Sequence, residues 1–195
     1  MTFSATQTMT QNPKPYATGQ DFCRIFRDDM NRLYLLSFLL TADHPLAEKC
    51  FVQGLEDAKS GNPVFKEWAR SWARRMIISN AIRMIDPRAN RTGLNDAWIR
   101  EEVDPITTTK EMAAILALPA FERFAFVMSI LEGYSDRECA LLLQCSTGDV
   151  IAARTRALQK VGASAELQRK VIGVDPDGAG VNFRPNLVSR LAASI

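Results

Sequence analysis

The side chains that most often carry out chemistry in proteins are scarce in this chain. There is a single histidine, His44, and Pro45 follows it in a stretch with the composition of a helix-entry turn. No glycine-rich phosphate loop and no nucleophile signature accompany it in the sequence. We therefore expect no catalytic residue, no cofactor and no enzymatic activity.

The cysteines are too widely spaced to indicate a metal site. No two of them form a Cys-x-x-Cys pair, so zinc ligands would have to be gathered from distant parts of the chain. The simpler interpretation is a set of buried free thiols in a reducing cytoplasm, and no metal is expected. The four are Cys23, Cys50, Cys139 and Cys145.

The distribution of charge points to a binding function instead. The whole chain carries a net charge of only +2, too little to indicate a nucleic-acid partner by itself. Between residues 64 and 91, however, seven basic side chains stand against two acidic ones, a local charge of +5. Arginine runs are often only solvated surfaces, so this excess favours nucleic acid only if a DNA-binding element accompanies it.

Two helix starts lie about one short helix apart in the C-terminal part of the chain. Ser135 with Glu138 fits a capping box, and Ser146 with Asp149 makes a weaker version because aspartate is shorter. A short helix, a tight turn and a longer helix form the layout of a helix-turn-helix. An ordinary helical hairpin fits the same residues equally well. The buried stripe of the longer helix is predicted to comprise Val150, Ala153, Ala157 and Val161.

The rest of the chain also shows helical periodicity, which predicts an all-α protein. Helices are expected over residues 21–40, over 43–58 with Asp43 as the cap, and from Asn62 onward with Pro63 in the first turn. In the third of these, Trp68 and Trp72 are predicted to pack in the core. Further helices are expected from a Thr108–Glu111 capping box to residue 118, over 119–133, and over a short stretch from 163 to 172.

No apolar run approaches the length of a membrane span, and the N-terminus lacks a signal-peptide pattern. We therefore expect a cytoplasmic protein with no membrane span. Composition divides the chain into a disordered arm (1–18), a helical domain (19–86), a linker (87–109), a helix-turn-helix domain (110–163) and a C-terminal extension (164–195).

One series of residues in the second domain resembles a known family. The order Leu-Pro, Glu-Arg, Glu-Gly-Tyr-Ser, helix, turn, Gly-x-Val and Arg-Ala is similar to region four of bacterial RNA polymerase sigma factors of the extracytoplasmic-function group. The matching positions include Leu118, Pro119, Glu122, Arg123, Phe126, Leu131 to Ser135, Glu138, Ala140, Leu142, Leu143, Ser146, Gly148, Val150, Arg156 and Ala157. The first domain resembles region two of the same family, at Asp43, Ala47, Glu48, Gln53, Trp68, Ala73 and Arg74.

The resemblance implies a protein that carries no chemistry but directs core RNA polymerase to promoter DNA for transcription initiation. Residues expected to contact the upstream promoter element are Thr147, Asp149, Arg154, Arg156 and Lys160. Residues expected to contact the downstream element, as it opens to a single strand, are Lys59, Asn62, Arg70, Arg74 and Arg75. Residues expected to bind the polymerase are Asp43, Glu48 and Gln53. The resemblance leaves open an anti-sigma factor as a further partner.

The recognition helix departs from the family pattern. Ile151, Ala152 and Ala153 stand where the family usually has a basic residue, a small polar residue and an arginine. Few side chains there can read base edges, so weak direct readout is expected. Two alternatives therefore stay open: a stand-alone helix-turn-helix transcription regulator, or a degenerate sigma-like adaptor that does not bind polymerase.

Overall fold

The computed structural model describes residues 15–88 and 110–172, and of residues 164–172 it describes the helical backbone. The prediction of an all-α protein is confirmed. Within these ranges there is no β-strand, only an isolated antiparallel bridge between Tyr16 and Phe65. The predicted linker lies almost wholly outside the described residues, as do Thr108 of the predicted capping box and the extension beyond residue 172.

Four helices form the N-terminal half, which we define as residues 15–88. They are α1 (Gly19–Asp28), α2 (Met30–Thr41), α3 (His44–Ser60) and α4 (Ala69–Ile85), with a short 3-10 turn (Lys66–Trp68) before α4. The most extensive packing is among α2, α3 and α4. Gly54 permits the close approach of α3 to α4, because a Cβ atom built there would lie 2.6 Å from Cδ1 of Ile77.

The first predicted helix is in fact two helices. The backbone breaks at Asp29, whose φ of −104° and ψ of 20° leave the helical region. Aspartate favours helix ends over helix interiors, and the Asp29 carboxylate also accepts a hydrogen bond from Arg70 of α4. The prediction of one continuous helix was therefore wrong, because a tertiary contact adds to a weak local preference.

The start of the third predicted helix was also wrong. Residues 61–64 are non-helical, a 3-10 turn follows, and α4 begins only at Ala69, seven residues after the predicted cap Asn62. The backbone of residues 15–17 pairs with this segment, since Ala17 N–H donates to Val64 O at 2.7 Å and Lys66 N–H donates to Pro15 O at 2.9 Å. Residues 15–18, which were predicted to belong to the disordered arm, are therefore part of the N-terminal half and pack against the segment that precedes α4.

Four further helices form the C-terminal half, which we define as residues 110–172. They are α5 (Lys110–Leu116), α6 (Ala120–Phe126), α7 (Asp136–Leu143) and α8 (Thr147–Ile172), with a π-helical turn (Val127–Leu131) after α6. Helix α8 packs on α5, α6 and α7. It continues through residue 163, where the sequence predicted a new short helix.

The two halves share one continuous hydrophobic core. Helix α2 makes the junction, because it packs on α3 and α4 in its own half and on α5, α6 and the π-helical turn in the other. Its side chains at 36–40 are buried on all sides, as the wide apolar surface of this segment predicts.

Candidate nucleic-acid interface

Helices α7 and α8 follow one another across a short turn, and both predicted capping boxes are present. Ser135 Oγ accepts from the Glu138 N–H at 3.3 Å, and Glu138 Oε2 accepts from the Ser135 N–H at 2.9 Å. Ser146 Oγ accepts from the Asp149 N–H at 3.1 Å, and Asp149 Oδ2 accepts from the Ser146 N–H at 3.1 Å. The local sequence thus defines where both helices begin.

The turn between them is three residues long. Gln144 ends α7 in the left-handed region (φ 53°), and its N–H donates to Ala140 O. Cys145 follows, partly buried, and burial raises the pKa of its thiol. The buried stripe of α8 is the predicted one, at Val150, Ala153, Ala157 and Val161. The outward face of the first turns is weakly polar: Thr147, Ile151 and Ala152 are exposed there.

The three predicted DNA-contacting cations of α8 each have a carboxylate partner within the protein. Arg154 forms a two-pronged ion pair with Asp136, the first residue of α7. Arg156 Nε donates to Glu122 Oε1 at 2.8 Å, and Lys160 Nζ donates to Glu122 Oε2 at 2.7 Å. A DNA phosphate would therefore have to compete with these carboxylates.

Glu122 is the centre of this arrangement. Its side chain is only 10% exposed, whereas those of Arg156 and Lys160 are about half exposed. Burial raises the pKa of the Glu122 carboxyl, but the hydrogen bonds from Lys160 and Arg156 outweigh burial and hold this pKa below its ordinary value. Glu122 is one of the positions that resemble the family, but the sequence does not predict that it pairs with both cations.

The other two predicted residues of α8 differ in their roles. The Asp149 carboxylate accepts from Ser146, and these hydrogen bonds lower its pKa, so Asp149 serves as a helix cap. Thr147 is exposed in the first turn of α8, where its hydroxyl is accessible from solvent.

The predicted downstream residues lie along the C-terminal end of α3 and along α4. Lys59 pairs with Glu56 at 3.2 Å, and Asn62 is exposed in the loop that follows. Arg70 pairs with Asp29, and Arg74 Nε lies 3.4 Å from Glu132 Oε2 of the C-terminal half. Arg75 is exposed and makes no ion pair with any side chain that the structure describes.

A cleft of about 620 Å³ lies between the two halves beside these arginines. On the N-terminal side, its wall contains Phe65 and Trp68, whose rings contact each other edge to face with centroids 5.3 Å apart. Tyr16 extends this aromatic cluster behind the wall, because its ring stacks on Phe65 with centroids 4.8 Å apart. Its lining residues are Pro63, Val64, Phe65, Trp68, Ser71, Trp72, Arg74, Arg75, Glu132, Gly133, Tyr134 and Glu138.

Trp68 is 58% exposed, so the prediction that it packs in the core was wrong. The physical reason is the 3-10 turn, which rotates Trp68 away from the face that Ala69 and Ala73 bury. Trp72 is partly buried and packs against the core, in line with the prediction of core packing, and its Nε1–H is buried without a hydrogen-bond partner among the described residues. An exposed tryptophan face beside arginine is the combination that stacks on unpaired bases.

The opposite wall of the cleft follows the π-helical turn. Gly133 has a φ of 74°, which lets the chain reverse, and Tyr134 N–H donates to Met128 O at 2.9 Å. Burial raises the pKa of the Glu132 carboxyl, and nearby Arg74 offsets only part of that effect. Glu138 contributes a second carboxylate on this wall.

The predicted polymerase-binding residues lie at the start of α3 and along it. Asp43 caps the helix, since its Oδ1 accepts from the Leu46 N–H at 2.7 Å, while Glu48 and Gln53 are exposed on the helix surface. The sequence did not predict the neighbouring ring cluster. His44 stacks on Phe38 (4.2 Å), and its Nδ1 lies 2.9 Å from the Tyr34 hydroxyl.

No group of three or more histidine, cysteine or carboxylate side chains is placed to hold a metal ion in the described part of the chain. None of the helices in the described ranges combines the length and the apolar character that a membrane crossing needs. Comparisons with protein-family models, curated proteins and solved structures returned no match.

Proposed function

We propose that this protein is a sigma factor of the extracytoplasmic-function type, which binds core RNA polymerase in the cytoplasm and directs it to promoters. The observation that carries the proposal is one chain that combines two capped helices joined by a short turn, α7 and α8, with a second helical half in which the exposed Trp68 and Arg75 line the same cleft. The first element suits duplex DNA, and the second suits an opened strand.

The division of labour in this proposal follows the chemistry of the two surfaces. The upstream element is held through phosphate contacts from α8, with few base contacts because Ile151 and Ala152 cannot donate hydrogen bonds to base edges. The opened downstream strand stacks a base on Trp68, and Arg75 neutralises a neighbouring phosphate. The carboxylate of Glu48 on α3 faces a basic surface of the polymerase, where complementary charge sets orientation.

The test is co-elution of the purified chain with sigma-free core RNA polymerase on size exclusion at micromolar concentration. Glu48→Lys should abolish or strongly reduce co-elution if α3 binds the polymerase. Glu67→Lys is the matched control, because Glu67 is also exposed but lies in the 3-10 turn before α4. Separate elution of a folded wild-type chain would refute the proposal.

A second candidate function is a sigma-like adaptor or stand-alone regulator that does not bind polymerase. The adaptor is favoured by one observation, the pairing of Arg154, Arg156 and Lys160 with internal carboxylates, because paired cations are less available to DNA phosphates. Promoter-length duplex DNA separates the candidates. Binding without polymerase co-elution indicates a regulator, and the absence of both indicates an adaptor, whereas a sigma factor requires polymerase binding.

A further inference from the structure

Arg74, one of the two arginines among the residues that line the cleft, is already in contact with a carboxylate of the other half. Arg74 Nε on α4 lies 3.4 Å from Glu132 Oε2, on the opposite wall. The Arg74 side chain is 43% exposed, and that of Glu132 is 20% exposed. The pair is therefore open to solvent on one side, where a second anion could approach Arg74.

A different arginine holds the opposite wall in place. Arg123 is 1% exposed, and its Nη1 donates to Leu118 O at 2.8 Å within the C-terminal half. Its Nε and Nη2 both donate to Leu40 O at 3.4 Å, in the last turn of α2. The carbonyl end of a helix favours a cation, so this contact fixes the C-terminal half against the N-terminal half.

The hydrogen bonds of Arg123 and the Arg74–Glu132 ion pair differ in how easily an anion can replace the acceptor. The hydrogen bonds of Arg123 are buried, so breaking them leaves polar groups without water or partners. The Arg74–Glu132 pair is 43% exposed on the arginine side and 20% exposed on the carboxylate side, so solvent screens it in part and it contributes little to stability. An incoming phosphate can therefore displace Glu132 from Arg74 without separating the two halves.

We propose that Glu132 is an internal competitor of the DNA strand: its carboxylate occupies, on Arg74, the place that a strand phosphate takes when the cleft is filled. The inference rests on the proposed function, since it assumes that the cleft holds an opened strand. Glu138 adds to the effect, because a strand between the walls meets a second carboxylate. The free protein thereby binds single strands more weakly than its aromatic and basic groups alone allow.

The first experiment measures binding of a fluorescein-labelled oligothymidylate of about 12 nucleotides, a length that spans one such groove. Glu132→Gln should tighten binding about three- to fivefold, the range expected from removal of one partly exposed ion pair. Asp28→Asn removes the same charge from an exposed position at the end of α1, outside the residues that line the cleft, and controls for the net charge. In an Arg74→Ala background, Glu132→Gln should have no effect beyond that of the control.

A second measurement follows the wall itself by hydrogen exchange. Glu132 N–H donates to Val127 O at 3.0 Å, and Tyr134 N–H donates to Met128 O. Because Arg123 holds the wall and these backbone hydrogen bonds do not involve the Glu132 carboxylate, adding the oligothymidylate to the wild type should leave exchange at these two amides unchanged or slower. Faster exchange upon binding would show that the wall itself opens and would overturn displacement of the side chain alone.

The outcomes distinguish this proposal from the proposed function. If binding depends on Arg74 but Glu132→Gln behaves like Asp28→Asn, the cleft binds strands and Glu132 is not a competitor. If no variant binds the oligothymidylate, the assignment of the cleft to an opened strand fails, and the competition fails with it.

Discussion

Glu122 of α6 accepts hydrogen bonds from two cations one turn apart on α8, Arg156 at 2.8 Å and Lys160 at 2.7 Å. The pair of contacts ties α6 to α8, the helix expected to contact DNA. Because the same two cations are expected to contact phosphates, this carboxylate links the stability of the C-terminal half to its binding surface.

Glu122→Gln is expected to lower the free energy of unfolding by about 1 kcal/mol at pH 7, a modest value because both cations are half-exposed. The pKa of Glu122 lies below the ordinary 4.5 in the folded state. Its contribution is therefore present above pH 4.5 and is lost as pH falls through the folded pKa. Urea unfolding from about pH 6 to pH 3 should show a shallower decline for the variant.

The matched control for this prediction is Glu48→Gln, which removes an exposed carboxylate that forms no ion pair with the described side chains. Its pH dependence should follow the wild type. An equal decline in wild type and Glu122→Gln would show that the paired cations do not stabilise the charged form.

Arg123→Met is expected to destabilise the protein by about 3 kcal/mol, because it leaves buried carbonyl groups without donors at the junction of the two halves. Methionine has a similar length and fills the space, so the loss reports the hydrogen bonds more than a cavity. Thermal and urea unfolding measure it. Arg137→Met on the exposed surface of α7 should change stability by less than about 0.5 kcal/mol, and a comparable loss in both variants would contradict the assignment.

Trp68→Ala is expected to change stability little, since the ring is 58% exposed, but to weaken single-strand binding. Stacking of one base on an aromatic ring contributes about 1–3 kcal/mol, which corresponds to a loss of about 5- to 150-fold in affinity. Fluorescence anisotropy with a labelled oligonucleotide measures the affinity. Met30→Ala, at an equally exposed apolar position on α2, is the control, and an unchanged affinity for Trp68→Ala would remove the stacking role.

Gly54→Ala tests the contact between α3 and α4. Alanine stabilises a helix by about 1 kcal/mol relative to glycine, whereas overpacking costs about 1–3 kcal/mol. The new Cβ would lie 2.6 Å from Cδ1 of Ile77, which is fully buried and has little room to move. We expect the overpacking to dominate, with a net loss of about 1 kcal/mol in urea unfolding. A gain in stability would mean that Ile77 repacks freely.

Much of the local structure was predictable because its causes lie within a few residues. The capping boxes at Ser135 and Ser146 satisfy backbone donors with side chains three positions away. The Asp43 cap and the reversal at Gly133 are equally local. The helix break at Asp29 and the late start of α4 were missed, since a contact with Arg70 and the backbone pairing of residues 15–17 help to set them.

The binding surfaces were less predictable than the helices. Sequence placed Trp68 on an apolar face, but the 3-10 turn exposes it in the cleft. Arg154, Arg156 and Lys160 are expected from the sequence to contact DNA, and no spacing rule connects them to Asp136 or Glu122 at separations of 18, 34 and 38 residues.

By itself, the sequence determined the helical class, the starts of α3, α7 and α8, and the buried stripe of α8, because hydrogen bonding within one turn and apolar periodicity are local properties. Only the tertiary structure decided which charges are available. The basic run from residue 64 to 91 has a formal charge of +5, yet Lys66, Arg70, Arg74 and Arg83 each pair with an acid from another part of the chain. Net charge is a sum over residues, whereas the field at a surface depends on which opposite charges the fold brings within about 4 Å.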